Sequence, residues 1–195
     1  MASAQQQTEL RILVLSDSLT AGYGLPQPAA FPQQLETTLR ERNHQVRVIN
    51  AGVSGDTSAG GLTRLDWALA DQPDLVIIEL GANDALRGLQ TRQNLSKILQ
   101  RLQEKSVQAL LTGMKAPRNL GLAYYSNFDR IYPELAQKYD IPFYPFFLEG
   151  VAGVPGLNQP DGIHPTLAGV NTIVQKMLPL VEEVLNEIAA EKKKT

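Results

Sequence analysis

The feature that most constrains this chain is a repeated alternation of short, apolar, β-branched runs with longer stretches of helical period. Runs at 11–15, 46–50, 75–80 and 108–112, with a shorter one inside 141–147, predict five strands. The run at 75–80 is almost continuously apolar, as suits a parallel strand covered on both faces. Helices are predicted over 31–42, where Phe31, Leu35 and Leu39 recur every four residues, and through Leu62, Leu65 and Leu69, closing before Pro73. Three more are predicted over 95–105, 128–139 and 166–189, the last with a possible bend at Pro179. Strand followed by helix, repeated, specifies an α/β architecture: a parallel sheet with helices on both faces. In such sheets ligands bind beyond the carboxyl ends of the strands, so chemistry is expected just after each run.

The chain's 195 residues suffice for one domain with a full core, placed at 11–189. The polar, glutamine-rich segment 1–10 is expected to be flexible and is no intact secretory signal. Residues 190–195 are expected to form a frayed, solvated tail. No apolar run reaches the roughly 20 residues of a membrane-spanning helix. A net charge of -2, with both signs scattered, leaves no footprint for nucleic acid. Cysteine is absent, which excludes thiol nucleophiles and thiolate metal sites. The only histidines, His44 and His164, are too few for an ordinary zinc site, so no metal is expected.

Four clusters follow the predicted strands. Ser18, in Ser16-Asp17-Ser18-Leu19, can present its hydroxyl to a carbonyl if a base takes the proton; a serine there also serves as a helix cap or turn former. Gly52, in 50–55, can bring a backbone N–H close to a ligand, or simply make a tight turn before a helix capped by Asp56 or Thr57. Asn83, in 81–84, offers a neutral amide donor to a developing oxyanion, or tolerates a left-handed turn. Asp161 and His164 lie in one Gly/Pro-rich loop, spaced so that the carboxylate can fix the imidazole's tautomer; the bland alternative is a loop cap beside Pro165. Each cluster alone has a structural explanation. Chance seldom sets all four at strand ends in this order.

These blocks resemble the SGNH hydrolases, the GDSL family of lipases and esterases, with Ser18, Gly52, Asn83 and His164 in the four places that name the family. Residues 21–24, 50–57, 60–65 and 114–117 are similar to the bacterial arylesterase, thioesterase I and lysophospholipase L1 group. The resemblance implies a flavodoxin-like three-layer sandwich with strand order 2-1-3-4-5. It implies hydrolysis of small esters or thioesters without a cofactor, and suggests a periplasmic or exported enzyme. In that reaction Ser18, His164 and Asp161 are catalytic, and the N–H groups of Ser18 and Gly52 and the Asn83 amide hold the oxyanion. Ser16 stands where the family has glycine, which predicts altered packing around Asp17.

Apolar and aromatic residues in 120–125 and in the loop 146–157, with Leu120, Leu122, Tyr124 and Leu157 as candidates, are expected beside the site; the alternative is that they pack the core. A flavodoxin-like receiver module is the rival from another class, but its acceptor at the end of the third strand would have to be Asp84, displaced into the turn. No Gly-x-Gly-x-x-Gly follows the first strand, which disfavours a dinucleotide-binding domain. A carbohydrate-ester deacetylase is the rival within the class.

Overall fold

The computed structural model of the protein describes residues 9–194. Its elements in chain order are β1 (Leu10–Ser16), α1 (Ser18–Ala21), α2 (Phe31–Glu41), β2 (Val46–Gly52), α3 (Ser58–Ala68), β3 (Leu75–Glu79), α4 (Ala82–Arg87), α5 (Thr91–Glu104), β4 (Gln108–Thr112), α6 (Leu122–Asp129), α7 (Ile131–Tyr139), β5 (Phe143–Tyr144) and α8 (Leu167–Lys192). The strands form one parallel sheet in the order β2-β1-β3-β4-β5. The order reverses between β1 and β3, the switch point at which open α/β sheets bind ligands. Ser16, the last residue of β1, lies beside Gly52 on one flank and Glu79 on the other.

Core packing follows from the runs that predicted the strands. Ile12 to Leu15 and Leu75 to Ile78 are fully buried because β1 and β3 carry helices on both faces. The predicted stripe Phe31, Leu35, Leu39 is buried under α2, and α8 buries Val170, Ile173, Val174, Met177, Val181 and Leu185. Among the described residues, no helix is long and apolar enough to cross a membrane.

Several boundaries differ from expectation. Leu10, assigned to the terminal segment, is already paired with Val46 in β1; residues 1–8 lie outside the described part. The C-terminal tail is not wholly free, since α8 runs to Lys192 and that ammonium pairs with Asp74 at 2.5 Å. The helix expected at 128–139 is two helices meeting at Arg130. Pro133 lacks the N–H that a continuous helix would donate to Asp129, whereas in the first turn of α7 that loss costs nothing. Pro142 and Pro145 likewise hold β5 to two residues, because neither can donate to the ladder. Phe147, expected near the site, is fully buried and packs edge-on against Phe31, with ring centroids 5.3 Å apart.

Candidate active site

The serine and the histidine reach each other from opposite ends of the chain. β1 delivers the chain into Asp17, whose buried carboxylate accepts from the Leu19 N–H at 3.0 Å and caps α1. This turns Ser18 out at the start of a helix, where the first N–H groups lack intrahelical partners. In the loop before α8, one Asp161 oxygen accepts from the N–H groups of Ile163 (2.9 Å) and His164 (3.0 Å). Its other oxygen lies 2.7 Å from His164 Nδ1, and His164 Nε2 lies 2.8 Å from Ser18 Oγ. The bond from the Ile163 N–H foremost, then those from the imidazole and the His164 N–H, hold the Asp161 carboxyl down to about 2. It is therefore ionised at neutral pH, and it fixes Nδ1 as the protonated nitrogen. Nε2 is left to accept the Ser18 proton.

The two loops are clasped together. Gln159 Nε2 donates to the Tyr23 carbonyl at 2.7 Å and to the Pro165 carbonyl at 3.0 Å, bridging the segment after Ser18 to the one that carries His164. The Gln159 N–H also donates to the His164 carbonyl at 2.8 Å. The Tyr23 ring lies against the imidazole, with centroids 4.3 Å apart.

Two of the expected oxyanion donors are engaged within the protein. The Gly52 N–H donates to Asn50 Oδ1 at 2.9 Å. Asn83 Nδ2 donates to the Asp56 carbonyl at 2.9 Å and to Asp17 Oδ2 at 3.3 Å. Asn83 is helical, in α4, and not in the left-handed turn offered as its alternative. That conformation falls to Gly81, at φ +120°, where an added Cβ would lie 2.1 Å from the Tyr132 hydroxyl.

Ser16, in place of the family glycine, is buried and its hydroxyl bonds to that of Thr20. It also narrows the space around Gly52. A Cβ there would lie 2.8 Å from Ala21 Cβ, 2.9 Å from Ala21 Cα and 2.9 Å from Ser16 Oγ. Gly52→Ala is therefore expected to destabilise the protein by about 1–3 kcal/mol through backbone displacement. A lower urea midpoint at unchanged slope would register it.

The candidate substrate residues are dispersed. Leu120 and Leu122 are exposed, at the turn before α6 and at its start. Leu157 packs against the core. Tyr124 donates its hydroxyl to the Ala85 carbonyl at 2.7 Å, tying α6 to α4, and lines a surface cavity of about 790 Å³ with Gly88, Leu89, Phe128 and Ile131. Of the four, it alone lines that cavity. His44 bonds to Glu182 of α8 at 3.0 Å.

Two polar groups, one half-buried and one fully buried, escaped the sequence reading. Arg64 of α3 donates to Asp56 (2.7 Å) and to the carbonyls of Ala51 (2.5 Å) and Ser16 (2.9 Å), binding together the ends of β1 and β2. Glu79, fully buried at the end of β3, was read as part of an apolar run. A carboxylate closing such a run was the available signal.

The chain is similar to known proteins over most of its length. The model of the GDSL-like lipase/acylhydrolase family matches residues 17–171. The chain is 41% identical over 185 residues to Esterase TesA of Pseudomonas aeruginosa, covering 93% of this chain and 92% of that one. It is 40% identical over 179 residues to Thioesterase 1/protease 1/lysophospholipase L1 of Escherichia coli, covering 90% and 85%. The crystal structure of AlinE4, an SGNH-hydrolase family esterase, superposes with a TM-score of 0.76 at 50% identity, over 91% of this chain and 97% of that one. With a matching family model over most of its length and such relatives, this chain belongs to the GDSL-like lipase/acylhydrolase family.

Proposed function

We propose that this protein is a serine ester hydrolase working through an acyl-enzyme on Ser18. The observation that carries this reading is the continuous chain Asp161–His164–Ser18, with contacts of 2.7 and 2.8 Å. His164 Nε2 takes the Ser18 proton as Oγ attacks the ester carbonyl. The imidazolium, stabilised by Asp161, then protonates the departing alcohol or thiol. Water repeats the sequence on the acyl-enzyme and regenerates Ser18.

The oxyanion is assigned to the N–H groups of Ser18 and Gly52 and to Asn83 Nδ2. Because the last two already donate within the protein, the oxyanion must draw them from the Asn50 amide oxygen, the Asp56 carbonyl and the Asp17 carboxyl group as charge develops. Such donors act mainly on the transition state. Asn83→Ala is expected to lower kcat by about 10²–10³-fold with KM little changed. A raised KM at constant kcat would remove Asn83 from the oxyanion site.

Substrates are proposed to be aryl and short-to-medium acyl esters, with thioesters and lysophospholipids as further candidates. Leu120, Leu122, Tyr124 and Leu157 remain the proposed contacts on the substrate side. The family resemblance supports a periplasmic or exported enzyme. A panel of chromogenic acyl esters against acetylated sugars separates this reading from a deacetylase. The direct test is reaction with a fluorophosphonate followed by peptide mapping: modification at Ser18 is the expected result, and an unmodified protein would overturn the nucleophile.

A further inference from the structure

Glu79 has no part in the chemistry above, yet it lies behind the nucleophile. Its side chain is fully buried at the carboxyl end of β3, level with Ser16 on β1. Neither of its carboxyl oxygens accepts a hydrogen bond among the described residues, and its charged neighbour is the carboxyl group of Asp17. Asp17 is buried as well, and its two oxygens accept from Leu19 N–H, which sets the Ser18 turn, and from the amide of Asn83.

Two adjacent buried carboxyl groups without a cation between them do not both ionise; they hold a proton in common. Asp17 is the member committed to accepting, because both its other contacts are N–H donors. Glu79 is thus the member that carries the proton. Burial, and then the charge of Asp17, push its carboxyl well above the ordinary carboxylate range, while burial raises Asp17 only to about 6. Tyr132, Asp84, Asp129 and His164 are the other titratable groups that act on this cluster. Tyr132 cannot supply the proton to Asp17, since its hydroxyl donates to the Leu80 carbonyl at 3.0 Å. Asp84 is occupied by Ser58, accepting from its N–H at 2.9 Å and from its hydroxyl.

We propose that Glu79 is a positioning residue for ester hydrolysis: as a carboxylic acid it donates to Asp17 and draws that group's negative charge back from the oxyanion site, so that Asn83 can release a donor to the transition state. A bare Asp17 carboxylate would compete with the oxyanion for the Asn83 amide and repel it across the same donor. The inference rests on the assignment of Ser18 and Asn83 under the proposed function, and it names a residue that acts through Asn83 without touching substrate.

The experiment has a kinetic and a spectroscopic arm. Glu79→Gln keeps a donor toward Asp17 and is expected to hold kcat within about threefold, whereas Glu79→Met lowers kcat about tenfold or more at similar KM. In an Asn83→Ala background the Glu79→Met loss should largely vanish, because the two residues act as one unit. An equal loss in both backgrounds, or a Gln variant as impaired as Met, would overturn the proposal. The infrared difference spectrum of wild type against Glu79→Gln at neutral pH should contain the carbonyl band of a protonated carboxylic acid. Its absence would overturn the shared proton even if Glu79→Met fails to fold. This band does not depend on turnover, so failure of Ser18 to react with fluorophosphonate and failure of the proton assignment are separate results.

Discussion

Ser18→Ala is expected to lower kcat by about 10⁵–10⁶-fold while leaving the thermal transition within a few degrees of wild type. The side chain is half-buried and, among the described residues, its hydroxyl bonds only to His164, so its removal opens no core cavity. His164→Ala should cost nearly as much. The double variant should cost little more than either alone, because hydroxyl and imidazole act as one proton-transfer unit. Burst-free residual hydrolysis at the level of the oxyanion donors alone would be the measured signature. Additive losses would mean that the 2.8 Å contact between them is not the route of the proton.

Asp161→Asn should cost about 10³–10⁴-fold in kcat, at nearly constant stability. The loop's backbone bonds both fall on one oxygen, which an asparagine carbonyl can replace. The other oxygen, 2.7 Å from His164 Nδ1, becomes an NH₂ group. That group donates where the carboxylate accepted, so the imidazole must turn its lone pair to Nδ1 and carry its hydrogen on Nε2. Nε2 can then no longer take the Ser18 proton. Nitrogen-15 NMR of the imidazole would show the exchanged tautomer directly. An unchanged tautomer with unchanged kcat would leave Asp161 as a loop cap and nothing more.

The strands could be read because burial on both faces leaves continuous apolar runs, as at Leu75 to Ile78. Their order could not be read from periodicity, since pairing of β1 with β3 depends on residues some sixty positions apart. It came from the family resemblance instead. The candidates Ser18, Asn83, Asp161 and His164 were legible because each lies within a few residues of a strand end or in the loop before a helix, where reactive side chains in this architecture belong. The short helices α1 and α4 were not, because a single turn has too few residues to display a period. Gln159 and Arg64 were invisible for another reason. Their bonds go to backbone carbonyls of distant segments, and a carbonyl has no residue-specific imprint in sequence. The aromatic segment before α7 left two readings open, since its residues serve packing and α6–α4 attachment as readily as substrate contact.

The Gln159 bridge has a consequence for how turnover responds to temperature and substrate. By tying the Tyr23 segment to the Pro165 segment, it makes the distance between hydroxyl and imidazole a property of the resting protein. Small esters with few contacts of their own can then react without first recruiting a mobile loop, because the ordering entropy was already spent when the chain folded. Discrimination among acyl groups is accordingly expected farther out, along surfaces that this clasp does not hold.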